Sequence, residues 1–579
     1  MKQWFVSPVH PPEFSAALPD FPPVVRQLLW NRGFQTAEAC RQFLNPNYVT
    51  HTHDPFLFRD MPLVVERLFR AIDEKEKIVI HGDYDADGVS ASVILYTTLK
   101  MLGANLEVFL PHRETDGYGL NLNTVTALAE TGAKIIITCD CGISNVEEIT
   151  EARRRGIDVI VTDHHQIPPA LPSAFAILHP KIATETYPDK TLSGGGVAFK
   201  LAQAMLQEAE NKTRLPSGIS REGFEKWLLD MVAISSVADM VPLLGETRVL
   251  TRFGLTVIAK TKRVGLAALM KTAGLFDENG VIKRTVTSQT IGFQIAPRIN
   301  AAGRMRHARA AFDLLTEENM EAAALQAAAL HGNNTDRQKL TEEMIGQARA
   351  LITERGLNER PLICVFEPSW SVGIIGLVAS KLKDEFYRPV MAMAEVNGAI
   401  VGSGRSIPEW NMIAGIQTIP QFFKKFGGHP QACGFTLASV EVLPDFESAL
   451  CAMVSASLSA GPVAPKLELD TELALNDLSW DLLDQLKKFE PFGVGNSEPR
   501  FVAHDCEIID AAQIGSTKKH LRLIVKQNGK VQKMIGFGFG GLYDTLKPGT
   551  RADLAFEIDE NEWNGFKEIE CRLIDVRTI

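Results

Sequence analysis

The feature that most constrains this chain is a β-branched run ending in a histidine and three alternating carboxylates. Residues 77–88 read Lys-Ile-Val-Ile-His-Gly-Asp-Tyr-Asp-Ala-Asp-Gly. The first half has the character of a buried strand, and a helical pattern follows at once. In α/β sheets the carboxyl ends of strands are where turns aim several side chains into one crevice. Carboxylates this close repel one another unless a cation or a proton intervenes. His81, Asp83, Asp85 and Asp87 therefore point to a divalent metal, and mixed imidazole and carboxylate donors suit Mn, Zn or Fe. Helix capping is the competing reading, because Asp is favoured at an N-cap and suits the helix dipole.

The pattern then recurs. A second strand-like run, 134–140, ends at Asp140, and a third, 158–165, ends at Asp163, His164 and His165. An apolar, helix-like stretch beginning at Met231 places Asp239 at its end. Capping alone does not account for three strands finishing in ligand-type residues. Together these side chains supply donors for two ions. Two metals ~3.5–4 Å apart can clamp the attacking and leaving oxygens of a phosphoryl group. The expectation is a binuclear hydrolytic site.

The order His81-x3-Asp85-x-Asp87, Asp140, Asp163-His164-His165, Asp239 resembles the DHH phosphoesterase superfamily. Further segments bring the likeness to its bacterial single-strand-specific exonucleases. They are Leu-Ser-Gly-Gly-Gly-Val-Ala-Phe-Lys at 192–200, Gly-Ser-Gly-Arg-Ser at 402–406, Gly-Gly-His-Pro-Gln-Ala-Cys-Gly at 427–434 and Pro-Phe-Gly-Val-Gly-Asn at 491–496. The likeness thus spans most of the chain, with no departure at any presumed ligand.

The resemblance implies an α/β fold class: a parallel-sheet DHH domain, a long connecting helix, a smaller α/β DHHA1 domain and a carboxyl-terminal OB-type β-barrel. The corresponding ranges are 71–315, 316–356, 357–462 and 463–579, preceded by an amino-terminal extension, 1–70, expected to pack on the first domain. Alternating strand-like and helix-like runs from about 75 to 240 fit a parallel sheet covered by helices. The stretch 316–356 is rich in Ala, Glu, Gln and Leu, and its internal His331-Gly-Asn-Asn334 is expected to interrupt the helix.

Composition fits a soluble, cytoplasmic enzyme. A chain of 579 residues exceeds what one core organises. No apolar run reaches the ~18 residues of a membrane span. Eight cysteines without Cys-x-x-Cys spacing fit a reducing compartment. The net charge of −10 argues against a broad DNA-coating surface, since counterion release favours basic proteins, yet leaves room for a basic channel.

Residue roles follow from the resemblance. One ion, Mn2+ or Mg2+, is expected on His81, Asp85 and Asp140, and a second on Asp87, Asp140, His164 and Asp239, with Asp140 bridging. His165 is expected to face the substrate, and His429 to stabilise phosphoryl charge. Asp83 is as consistent with capping or support of an imidazole as with ligation. Gly402–Ser406 reads as a turn in which Ser403 and Arg405 hold a phosphate. Arg304 and Arg113 are further candidates for a terminal-phosphate pocket, and Arg298, Arg306 and Arg309 make the Arg304 region strongly basic. Lys518 and Lys519, with His520, Arg522 and nearby Phe537 and Phe539, form a candidate single-strand contact.

The expected activity is hydrolysis of single-stranded DNA from its 5′ end to 5′-mononucleotides in recombination and repair. The expected partners are single-strand-binding protein and a helicase, and the expected state is a monomer. The alternatives are a phosphodiesterase of cyclic dinucleotides or short oligoribonucleotides, and a catalytically inactive DNA-binding relative.

Overall fold

The computed structural model describes residues 2–113, 115–277, 280–459, 463–563 and 566–579. The chain forms two compact units. One comprises residues 55–239 and 256–464; the other comprises the amino-terminal residues to Asp54, 240–255 and 465–579.

The larger unit begins with a parallel sheet. Its spatial order is Asn105–Phe109, Lys77–Gly82, Ala133–Cys139, Asp158–Thr162, Ala176–Leu178, and every neighbouring pair is parallel. Ile78, Val79, Ile80, Ile135, Ile136, Ile137, Val159, Ile160 and Val161 are all buried. Burial of both faces explains why these strands are continuous apolar runs rather than alternating ones. Lys77–Gly82 comes first in sequence but second in space. The strand order therefore reverses between it and Ala133–Cys139, which opens a crevice at their carboxyl ends.

The helix Met320–Glu354 follows, 35 residues without a break. The expected interruption at His331-Gly-Asn-Asn334 does not occur. A glycine in a helix interior costs about 1 kcal/mol relative to alanine, and burial of Ala327, Leu330 and Asn334 holds this stretch in place.

A second, mixed sheet has the order Phe423–His429, Ala432–Leu437, Ala399–Arg405, Val390–Val396, Ile363–Phe366. Apolar clusters are built around it, one including Ile374 and Val378, the other Phe435 and Phe446. The Gly402–Ser406 segment corrects its sequence reading. Residues 402–405 lie inside a strand, paired on both sides, rather than in a turn. The glycines serve packing: a Cβ at Gly402 would stand 2.1 Å from the Phe435 ring, and one at Gly404 would stand 2.4 Å from the Met412 sulfur. His429 ends the strand Phe423–His429 and pairs with Ala432 across a tight turn.

In the smaller unit, Phe501–Ile514 pairs with both His520–Gln527 and Arg551–Trp563, and the remaining pairings run through Lys530–Gly536 and Phe566–Thr578. The sheet thereby closes into a barrel, as expected. The amino-terminal segment corrects its sequence reading. Val25, Leu28, Leu29 and Phe43 share one core with Phe489, Phe501 and Phe556, and strand Gln3–Val6 pairs with Lys466–Leu469. These residues belong to the barrel unit, whereas residues 55–70 of the same stretch belong to the larger unit. Arg248 lies in the same unit, stacked 3.9 Å from the Phe43 ring centroid and donating to the carbonyls of Phe43, Lys488, Phe489 and Glu490.

Candidate active site

The carboxyl ends of three adjacent strands bring the acidic residues together. Asp85 is the N-cap of helix Ala86–Met101, accepting from the Asp87 and Gly88 amides at 2.9 and 3.1 Å. Capping and proximity to the other carboxylates therefore coexist in one residue. Asp140 follows strand Ala133–Cys139 in the left-handed region, φ 62°, a conformation that Asp tolerates better than most side chains. Asp239 caps the carboxyl end of helix Leu229–Ala238.

Asp87 is held by three donors. Its oxygens accept from the Gly194 and Gly195 amides at 2.8 and 2.7 Å and from the Ser235 hydroxyl at 2.5 Å. The two amides open helix Gly194–Asn211, so the helix dipole faces the carboxylate. Glycine is required there, since a Cβ on Gly194 would lie 2.6 Å from the Asp140 Cβ.

Asp163 is fully engaged in positioning. One oxygen accepts from the His164 and His165 amides (2.7 and 3.1 Å) and from His165 Nδ1 (2.8 Å); the other accepts from the Ile143 amide (2.9 Å). Burial alone would raise its pKa, but the hydrogen bond and charge of His165 together with these amides hold it below the usual carboxylate range. The same pairing lifts His165, against burial, to about 9. The Tyr118 hydroxyl donates to the Asp140 carbonyl (3.1 Å) and stands 3.0 Å from His165 Nδ1. Lys181 donates to the His164 carbonyl, and His179 Nε2 lies 3.0 Å from the His165 carbonyl.

Three sets of donor atoms each fall within 4.8 Å of one another: Asp83, Asp85 and Asp140; Asp87, His164 and Asp239; and Asp140, His164 and His165. His164 Nε2 lies 3.0 Å from Asp140, 3.5 Å from Asp239 and 3.6 Å from Asp87. Asp83 stands inside one of these sets, and His81 stands outside them. His81 is fully buried, stacked at 5.2 Å on Phe109, with Nδ1 3.8 Å from the Cys141 sulfur.

The electrostatics call for a cation. Burial raises the pKa of Asp83, Asp85, Asp140 and Asp239, and neighbouring carboxylates raise each further. Asp239 reaches about 8. Burial lowers His81 and His164 to about 4. His81 Nε2, Asp83 Oδ1 and His164 Nδ1 are buried without a partner. Crowded carboxylates, neutral imidazoles and unpartnered donor atoms fit divalent metal ions.

A cluster of arginines lies in the same unit. Arg113 sits 5.0 Å from the Tyr84 ring centroid. Arg304 donates to the Gly373 carbonyl (3.0 Å), and Arg405 donates to Ser403 Oγ (2.9 Å) and the Gly404 carbonyl (2.7 Å). Burial lowers Arg304 to about 10, aided by Arg113, Arg337 and Arg405, and Asp85 acts in the opposite sense. Among the described residues no carboxylate lies within ion-pair distance of Arg113, Arg304 or Arg405. His429 feels the charges of His165 and Lys181, and burial together with those charges lowers its pKa.

In the barrel unit, Lys518 and Lys519 are exposed in the turn before His520–Gln527. His520 packs 5.4 Å from the exposed ring of Phe537. Arg522 is paired with Asp510, and Phe539 packs against the barrel core.

Sequence reading missed the roles of Ser235, Tyr118, Lys181 and Arg337. Serine followed by three glycines at 193–196 signals an anion-binding helix start, and here the anion is the chain's own Asp87.

Residues 77–234 match the family model of the DHH family N-terminal domain, 359–456 that of the DHHA1 domain and 469–575 that of the RecJ OB domain. A parallel sheet with acids and imidazoles at its switch point, followed by these domains, defines the class as the DHH phosphoesterase superfamily. The chain is 36% identical over 555 residues to the single-stranded-DNA-specific exonuclease RecJ of Bacillus subtilis (strain 168), covering 96% of this chain and 68% of that protein. It is 31% identical over 575 residues to RecJ of Dickeya dadantii (strain 3937), covering 96% and 97%. The crystal structure of RecJ in complex with Mn2+ from Thermus thermophilus superposes with TM-score 0.82 at 28% identity, over 99% of this chain and 79% of that one. The chain belongs to the RecJ family. The expected architecture of DHH domain, connecting helix, DHHA1 domain and OB barrel is borne out.

Proposed function

We propose that this chain is a divalent-metal-dependent exonuclease that hydrolyses single-stranded DNA from its 5′ end, releasing 5′-mononucleotides. The observation that carries this reading is the adjacency of two charge clusters in one unit: converging carboxylates and imidazoles, and arginines without carboxylate partners. The first set suits metal ions, and the second suits a phosphate. Named relatives are single-stranded-DNA-specific exonucleases, and RecJ structures contain Mn2+ or Mg2+.

In this reading His81, Asp85, Asp87, Asp140, His164 and Asp239, joined by Asp83, would hold two ions. The ions would lower the pKa of an attacking water and draw charge from the phosphoryl oxygens. Asp163 fixes His165 with its proton on Nδ1, leaving Nε2 for the substrate. Tyr118 braces the same ring. His429, from the second sheet, adds a donor toward the developing charge. Arg113, Arg304, Ser403 and Arg405 dock the terminal phosphate, so that an end, not an interior segment, reaches the centre. Lys518, Lys519 and Phe537 offer charge and a stacking face to the strand.

Eight cysteines without a disulfide fit a cytoplasmic setting, and among the described residues no helix is long and apolar enough to cross a membrane. A role in recombination and repair, alongside single-strand-binding protein and a helicase, and action as a monomer belong to the same proposal.

The test is a 5′-phosphorylated oligonucleotide labelled at its 3′ end, incubated with Mn2+ and either the wild type or Asp140→Ala. The expected result is a ladder shortening from the 5′ end with the wild type alone. An intact strand in both lanes, with hydrolysis of a dinucleotide, would instead assign a small-substrate phosphodiesterase.

A further inference from the structure

The unpaired arginines extend past Arg304. Arg298, on helix Ala296–Met305, is only 9% exposed. It donates from Nη1 to the Gln294 carbonyl (2.5 Å), and its Nη2 lies 3.2 Å from His331 Nδ1 on the Met320–Glu354 helix. On that same helix Arg337 donates to Oδ1 of buried Asn334 (3.0 Å). The Nε atoms of Arg298 and Arg337 are both buried without a partner. Among the described residues neither guanidinium has a carboxylate within ion-pair distance. Burial lowers both pKa values, and Arg337 further lowers Arg298. Neighbouring guanidinium groups held partly out of water without a counter-charge are unfavourable unless an anion joins them.

The helix carries a second sign. His331, Gly332, Asn333 and Asn334 are weak helix formers inside a run of strong ones. Nothing lies within 4 Å of where a Gly332 Cβ would stand, so packing does not demand glycine. His331 and Asn334 are the residues that touch Arg298 and Arg337. A local breach of propensity without a packing reason marks a functional position.

We propose that Arg298 and Arg337, oriented by His331 and Asn334, form a second phosphate subsite that takes an internal phosphodiester of a single strand. This rests on the reading of the chain as a single-strand exonuclease. The subsite is separate from the end-phosphate contacts of Arg113, Ser403 and Arg405, and adjoins them through Arg304, which feels the charge of Arg337. A guanidinium offers donors of the geometry that non-bridging phosphate oxygens accept, and neither side chain has its Nε–H satisfied within the chain.

The experiment uses the full chain and 5′-phosphorylated twenty-nucleotide strands, each with one neutral methylphosphonate at a different internal linkage beyond the scissile one. With the wild type, one such linkage is expected to raise KM about tenfold, the scale of one charged phosphate contact. Arg337→Gln is expected to raise KM about tenfold on the unmodified strand and to lose its sensitivity to that linkage. Arg337→Lys, which keeps the charge, retains the sensitivity. Arg298→Gln behaves as Arg337→Gln does, provided that its melting temperature matches the wild type. Equal losses for wild type and Arg337→Gln at every linkage, or a wild type indifferent to all of them, would overturn the subsite. If the wild type hydrolyses no strand, the exonuclease reading fails. Equilibrium binding of the same strands to metal-free protein then decides on the subsite separately.

Discussion

Around Asp140 the crowded charges are carboxylates; around Arg304 they are guanidinium groups. Two like charges 4 Å apart repel by about 4 kcal/mol at the effective dielectric of a protein surface, so both regions need a partner of opposite sign. They are braced differently. Asp87 and Asp163 each accept three or more hydrogen bonds, and Asp140 is fixed by a left-handed backbone. Arg304 and Arg405 lean on one or two neutral oxygens each. The acidic frame is set before anything binds, as electrostatic preorganisation requires. The arginines complete their bonding only with a ligand.

The largest effect that follows is on the acidic side. Asp140 belongs to two of the three donor sets, and Asp140→Ala is expected to lower kcat about 10³–10⁴-fold, the loss of several kcal/mol of metal-dependent stabilisation. Arg405→Ala is expected to cost less, about 10–100-fold in kcat/KM, and to do so on strands bearing a 5′ phosphate. Kinetics on 5′-phosphate and 5′-hydroxyl strands compare the two. An Arg405→Ala defect equal on both strands would remove the phosphate role from the arginine cluster.

The second contrast is with pH. In metal-free protein Asp239 keeps its proton up to about 8, against about 3.9 for an ordinary Asp. Between these values the folded chain binds more protons than the unfolded one, so stability falls as pH rises. Asp83, Asp85 and Asp140 shift in the same direction. The melting temperature of metal-free protein should therefore drop from about pH 6.5, where histidines lose their charge, to pH 8. Mn2+ replaces those protons and should flatten the slope, with affinity rising over the same range. The arginines remain charged throughout and contribute no such slope. A melting temperature that climbs without metal would break the comparison.

The smallest effect is expected at the rim. Tyr118→Phe keeps the ring against His165 but loses the hydroxyl that bonds the Asp140 carbonyl. One hydrogen bond of this kind corresponds to about a 2–10-fold loss in kcat, with Mn2+ affinity, read by calorimetry, preserved. A matching loss of metal affinity would make Tyr118 part of the rigid acidic frame.

The acidic centre was legible because its residues sit where continuous apolar runs stop: strand ends announce themselves in sequence, and the order reversal gathers them. Asp83, read as equally consistent with capping or ligation, has its carboxylate beside those of Asp85 and Asp140, a convergence that depends on the turn after the strand and is not visible in residue spacing. Arg113, Arg304 and Arg405 could be named singly, but their mutual approach depends on tertiary packing across three segments. Gly402 and Gly404 looked like a turn since sequence does not show Phe435 or Met412 filling the space that their side chains would occupy. The amino-terminal helices were assigned to the first domain because it follows them directly, whereas their core partners lie in a distant stretch of the chain.

That last arrangement bears on how the protein is made. Val25, Leu28, Leu29 and Phe43 leave the ribosome well before the barrel strands that cover them. Roughly 400 residues separate the two parts, which at ~5–20 residues per second is ~20–80 s of synthesis. Throughout that interval the nascent chain carries exposed apolar helix faces while the parallel sheet behind them can already fold. The barrel unit is therefore assembled late, from three separate stretches of one polymer, and the earliest stretch must be kept from aggregating until the last arrives.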